Sequence, residues 1–169
     1  MSKIGLRVMK CNGWALRYVK EQTDKICLEA VREDKHALRY VKNQTHEICL
    51  AAVRRHGWVL QFVKSQTEEI CLEAVRNRGE ALRFVREQTE EHCLAAVRES
   101  GLALRHVKNQ TEQICIEAVL EHVFALEYVK DQTLSICLAA AKKSRSKALE
   151  QIVDPVMVRQ VIEILDTRT

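Results

Sequence analysis

Glutamine, threonine and cysteine recur in this chain at a spacing that invites a chemical reading. Gln22-Thr23, Gln44-Thr45, Gln66-Thr67, Gln88-Thr89, Gln110-Thr111 and Gln132-Thr133 stand 22 residues apart. Four residues after each threonine comes a cysteine: Cys27, Cys49, Cys71, Cys93, Cys115 and Cys137. Six thiols could bind soft metals or serve redox chemistry. Six primary amides could read nucleobases, one per repeat. Both ideas meet a simpler one. Free cysteine is a common small apolar residue at crowded helix contacts. A Gln-Thr pair suits a helix break, with threonine capping and glutamine satisfying backbone groups. A residue that reads variable ligands should itself vary, and these do not. Equivalent cysteines on helices ~8–10 Å apart are too distant for a disulfide. The structural reading is therefore preferred for both.

A basic slot offers a second chemistry. Lys20, Lys42, Lys64, Arg86, Lys108 and Lys130 are all cationic, and Arg17, Arg39, Arg83 and Arg105 stand three residues before four of them. Such residues would line one edge of a repeat array and contact phosphates or an acidic partner. Charge limits the idea. The chain carries +4 overall, and the repeats swing from +3 in the second to −2 in the fourth. A dedicated nucleic-acid array should be far more basic, so direct nucleic-acid contact is disfavoured.

Departures from the repeat carry more information. His92 replaces the isoleucine of the Ile26 slot, and His106 replaces the aromatic residue of the Tyr18 slot. Two histidines on adjoining repeats suggest a metal or acid–base pair, but no third ligand stands at ligand spacing. No metal, cofactor or catalytic residue is assigned. Leu120, Val123, Phe124 and Leu134 cluster in repeats five and six. Leu120, Val123 and Leu134 take slots that are polar or glycine elsewhere, and Phe124 adjoins them. Exposed together they would form an apolar patch that marks a partner site. Folded under the C-terminal segment they would be core.

These residues need elements to position them. Written in rows of 22, the chain shows leucine from Leu16 to Leu126, valine from Val19 to Val129 and alanine from Ala30 to Ala140 in fixed slots. Each row predicts two short helices, the first about 14–21 and the second about 24–33, with Thr23 as N-cap and Asp24 and Arg32 matched to the helix dipole. Gly13, Gly57, Gly79 and Gly101 are expected as left-handed helix stops. Helices this short are unstable alone and must stack. The fold class is all-α: tandem helix-pair repeats stacked as an α-solenoid or compact curved array. A single repeat domain over 1–169 is expected. It comprises a worn half-repeat at 1–13, six repeats over 14–145, and a half-repeat with a capping helix at 146–169. Residues 147–154 match a first half with one residue inserted, and Asp154-Pro155 opens the last helix. The slot of Glu29, Ala51, Glu73, Ala95, Glu117 and Ala139 alternates with a period of 44, which predicts that odd and even repeats pack differently.

The string ALxYVxxQTxEICLxAV, running over residues 13–141, resembles a family known only as a domain of unknown function. That family is associated with tandem copies in giant viruses of amoebae, intracellular bacteria and some phages. Its unit is similar to two of the present repeats. The resemblance implies an interaction or effector role and supplies no catalytic residues.

The totals fit this reading. Nearly half the residues are hydrophobic, with five glycines and one proline. No run is long enough for a membrane span, and the N-terminal residues lack a secretory pattern. Seven cysteines without a CxxC argue against both a disulfide framework and a zinc ribbon, so a reducing, cytoplasmic setting is expected. The functional expectation is a non-catalytic module that binds a protein partner or itself. The alternative is an effector that blocks a host nucleic-acid-processing or defence enzyme.

Overall fold

In a computed structural model of the chain, residues 13–167 are described; the half-repeat expected at 1–13, and Cys11 with it, falls outside them apart from Gly13. All regular structure among the described residues is helical. Six α-helices follow the 22-residue period: α1 (Asp24–Glu33), α2 (His46–Arg55), α3 (Glu68–Asn77), α4 (Glu90–Glu99), α5 (Glu112–Glu121) and α6 (Leu134–Lys143). Two more close the chain, α7 (Arg145–Gln151) and α8 (Pro155–Asp166). The fold is an all-α tandem-repeat array. It divides into two compact units, Met1–Arg86 and Glu87–Thr169. Within the first, α1 packs on α2 and α2 on α3; within the second, α4 packs on α5, α5 on α6, and α6 on both α7 and α8.

Each α-helix starts where the sequence places it. The hydroxyl of Thr23, Thr45, Thr67, Thr89, Thr111 or Thr133 accepts from the backbone N–H three residues on, at 3.3–3.5 Å. A threonine N-cap contributes about 1 kcal/mol. The inward face repeats as isoleucine, cysteine, alanine and valine, as in Ile48, Cys49, Ala52 and Val53, all buried.

The first element of each repeat is shorter than expected. It is a 3₁₀-helix: Gly13–Tyr18, Ala37–Tyr40, Gly57–Phe62, Gly79–Phe84, Gly101–His106 and Val123–Tyr128. The glutamine explains where it stops. The carbonyl of Leu38 accepts from Val41 N–H at 3.2 Å and from Gln44 Nε2 at 3.1 Å. A side-chain amide thus takes the place of the helix's next backbone donor, and the chain leaves in extended geometry at Val41.

The glycines do not act as left-handed stops. Among the described residues no glycine has positive φ. The helices end instead on extended residues such as His56 and Ser100. Glycine is needed for space: a Cβ on Gly57 would stand 2.3 Å from the carbonyl oxygen of Ala74, and one on Gly101 2.4 Å from that of Ala118. The next repeat's helix comes that close.

The 44-residue alternation also has a physical basis. Arg54 of repeat two pairs with Glu73 of repeat three at 2.8 Å, and Arg98 of repeat four pairs with Glu117 of repeat five at 3.2 Å. Exposed pairs contribute little stability, but they distinguish the two kinds of neighbour.

The C-terminal segment packs on α6 through α7 and α8. Gln132 bonds Gln151 O, 19 residues on, where the other glutamines reach 18. The inserted residue is accommodated because α7 is α-helical and not 3₁₀. Asp154 then caps α8, accepting from Val156 N–H at 2.9 Å ahead of Pro155. Among the described residues no helix is long and apolar enough to cross a membrane.

Candidate functional site

The glutamines join one repeat to the next. Gln44 Nε2 donates to Leu38 O in its own repeat and to Phe62 O in the following one, at 3.1 and 2.9 Å. Its Oε1 accepts from Lys64 N–H at 2.9 Å. Gln22 makes the same set to Leu16, Tyr40 and Lys42. Gln66, Gln88 and Gln110 repeat the link to the following repeat. The same Oε1 faces a thiol: Cys27, Cys49, Cys71, Cys93 and Cys115 place Sγ 3.6–3.9 Å from it. The thiol is a weak donor, so cysteine packs and also holds the amide. Burial pushes all six repeat thiols above their ordinary pKa, away from the reactive thiolate. At Gln22, Gln44 and Gln132 both amide hydrogens go to backbone carbonyls, which leaves no donor for bases. What the sequence did not reveal is the second partner, 18 to 20 residues away.

The basic slot is largely structural too. Lys42 Nζ donates to Val19 O and Lys20 O, Lys64 Nζ to Val41 O and Lys42 O, and Arg86 to Val63 O and Lys64 O. Lys130 Nζ donates to Lys108 O at 2.7 Å. Each cation caps carbonyls that follow the preceding 3₁₀-helix. Arg39 lies over the Phe62 ring at 5.8 Å and Arg83 over the Phe84 ring at 5.0 Å. Arg105 donates to His106 Nε2 at 3.2 Å. Arg17, Lys20 and Lys108 have exposed side chains. The continuous phosphate-facing edge expected from the sequence is therefore mostly spent on the fold.

His92 is buried, with its Nδ1 accepting from Thr89 N–H at 3.2 Å in a reciprocal cap. That bond puts the neutral ring's proton on Nε2, which is buried without a partner. His106 is half-buried and occupied by Arg105. Among the described residues no three metal-binding side chains converge.

The four apolar departures separate. Leu120 is 48 % exposed and Phe124 37 % exposed. Leu134 is half-buried at the start of α6. Val123 is a correction: it is buried and takes no part in a surface patch. It stands in the slot of Gly57 and Gly101, which are buried as well, whereas Lys35 in the same slot is exposed. The C-terminal segment covers part of the remainder, with Lys147 Nζ 5.5 Å from the centre of the Phe124 ring.

One site was missed. Within the first unit, a cleft of about 560 Å³ opens between repeats two and three, lined by Lys35, His36, Arg55, His56, Trp58 and Arg78 among others. Its cations come from three rows of the sequence, Lys35 from the first, Arg55 from the second and Arg78 from the third, so no single repeat announced it.

The geometry defines a helix-pair tandem-repeat protein whose recurring polar residues hold successive repeats together. Residues 45–88 match the family model of a domain of unknown function, DUF4116. The matched 44 residues run from the cap of α2 to the glutamine before α4. They enclose the Arg54–Glu73 pair that marks the double repeat. No curated protein and no solved structure matches the chain.

Proposed function

We propose that the chain is a non-catalytic interaction module that binds a protein partner through the apolar surface of repeats five and six. The observation that carries this is Leu120. The other five repeats hold Arg32, Arg54, Arg76, Arg98 or Lys142 in its slot, and Leu120 stands 48 % exposed. An exposed leucine in place of a cation adds nothing to the fold and costs solubility. Lys143 Nζ donates to the backbone carbonyls of Leu120 and Glu121, which sets a cation beside this surface. Phe124 is exposed in the next 3₁₀-helix, between the His122 ring and Lys147. An apolar centre with a cationic rim suits a partner that offers an apolar anchor flanked by acids. Six buried thiols suit a cytoplasmic setting, in the protein's own cell or a host's, where an effector role would be exercised.

The test replaces each residue with one that another repeat already carries, so the fold has a precedent for both. Leu120→Arg with Phe124→Glu should abolish co-purification of the partner while leaving the circular dichroism unchanged. Retention of the same partner by the folded double variant would refute the reading. A concentration-dependent dimer in light scattering, removed by the same pair, would make a second copy of the chain the occupant.

A further inference from the structure

The cleft between repeats two and three differs in kind from the rest of the repeat surface. Lys35, Arg55 and Arg78 surround it with His36 and His56, and no carboxylate lines it. Trp58 is 39 % exposed at its edge, and the Arg78 guanidinium stacks over the indole at 4.9 Å. Among the described residues no carboxylate pairs with Lys35, Arg55 or Arg78. Burial holds His56 below the ordinary histidine pKa, with Arg55, Lys35 and His36 adding to the effect and Asp34 opposing it. The field in the cleft is thus positive where the histidine sits.

The fold does not require these charges. Two repeats on, the slots of Lys35, His36, Arg55, His56, Trp58 and Arg78 hold Gly79, Glu80, Glu99, Ser100, Leu102 and His122. The same ten-residue helix and six-residue 3₁₀-helix form there, in α4 and Gly101–His106. A cation at the end of α2 suits the helix dipole, but α4 ends in glutamate under the same dipole. Nor are the cations needed as carbonyl partners. Ala52 O and Ala74 O accept from His56 N–H and Arg78 N–H, and Arg54 O accepts from Asn77 Nδ2. Asn77 Oδ1 accepts from Gly57 N–H at 2.7 Å, which fixes the cleft floor. Unlike Lys42 and Lys64, Lys35 and Arg55 are not spent on carbonyls, and the Arg78 guanidinium is held by stacking on Trp58 with its hydrogen-bond donors uncommitted.

Cations around an exposed indole are the two halves of nucleotide recognition. Guanidinium and ammonium groups bind phosphate, and an aromatic face takes a base of any identity. We infer that this cleft binds a nucleotide, with Lys35, Arg55 and Arg78 on the phosphate and the base against Trp58. The nucleotide is either free or part of a single strand. The site is remote in sequence from the surface of repeats five and six, so either proposal can fail without the other.

The chain has two tryptophans, so Trp14→Phe leaves Trp58 as the reporter. Adenosine monophosphate and a six-residue single-stranded oligoadenylate are titrated at low salt, beside inorganic phosphate and a hexaglutamate peptide. Saturable quenching by a nucleotide is expected, with affinity falling as salt rises. Arg55→Glu, which installs the residue of repeat four, should weaken it by about tenfold or more. Trp58→Leu, which installs the residue of repeat five, should do the same by calorimetry. Equal affinity for monophosphate and hexamer marks a free nucleotide; much tighter hexamer binding with a steep salt slope marks a strand. No saturation with either at millimolar nucleotide would overturn the inference. So would binding of hexaglutamate as tight as that of the hexanucleotide and indifferent to Trp58→Leu, since the cleft would then be an acidic-peptide site.

Discussion

Replacing Gln44 with leucine is the sharpest perturbation of the array. Leucine keeps much of the side-chain volume and removes every polar contact. Three backbone groups lose this partner: Leu38 O, Phe62 O and Lys64 N–H, now bonded at 3.1, 2.9 and 2.9 Å. A buried group left unpaired costs ~1–3 kcal/mol. Here Leu38 O keeps its bond from Val41 N–H, and the side of Lys64 is open to water. The loss should therefore lie near the low end for each group, about 2–4 kcal/mol in total. That is a large share of the ~5–15 kcal/mol that holds a domain together. Urea denaturation followed by circular dichroism reads it as a lower midpoint. The control is Gln113→Leu. Gln113 is exposed and donates to Glu117 within its own helix, so its loss should cost less than about 0.5 kcal/mol. Gln44→Glu adds a signature. The carboxylate would face two carbonyl oxygens, which raises its pKa, so the variant should regain stability as pH falls and the acid can donate. If Gln44→Leu costs no more than Gln113→Leu, the glutamines are not the links between repeats.

Four further outcomes are expected. His92→Ile restores the residue of five other repeats and removes an unpartnered buried nitrogen; urea denaturation should show a higher midpoint, with unfolding free energy raised by about 1–2 kcal/mol, less whatever the lost reciprocal cap contributed. Gly101→Ala meets the Ala118 carbonyl and should cost about 1–3 kcal/mol, with Gly101→Asn no better; tolerance of asparagine would restore the left-handed reading. In a Cys11→Ser background the six repeat thiols should resist a thiol reagent until urea unfolds the chain, and prompt reaction of several in the native protein would contradict their packing. The folded chain keeps thiol protons that the unfolded chain releases, so stability should fall as pH rises through the ordinary thiol range.

Local chemistry was legible in the sequence. Thr23 and its equivalents cap because the bond spans three residues, and Asp154-Pro155 opens a helix for the same local reason. The inserted residue before Gln151 was visible as a slipped alignment, and the hydrogen bond from Gln132 carries the same slip. Non-local consequences were not legible. Gly57 and Gly101 look like helix stops until the Ala74 and Ala118 carbonyls arrive from the following repeat. Val123 was read as surface because its slot elsewhere held glycine or lysine, whereas just past the end of α5 that side chain is buried. Lys42 and Lys64 looked free because the carbonyls they cap lie a repeat upstream. The cleft at Trp58 was hidden because its cations come from three repeats and meet only when those repeats stack.

The amide N–H groups of Lys42, Lys64, Arg86, Lys108 and Lys130 decide most directly whether the recurring residues are architecture. All five follow the 3₁₀-helices on irregular, outward-facing chain, and each donates to the glutamine Oε1 of the preceding repeat at 2.9–3.1 Å. Native-state hydrogen exchange should find them protected to the level of helix amides such as Cys49 and Cys71, and Gln44→Leu should release Lys64 first. Exchange of these five at the rate of an unstructured peptide would contradict the link between repeats.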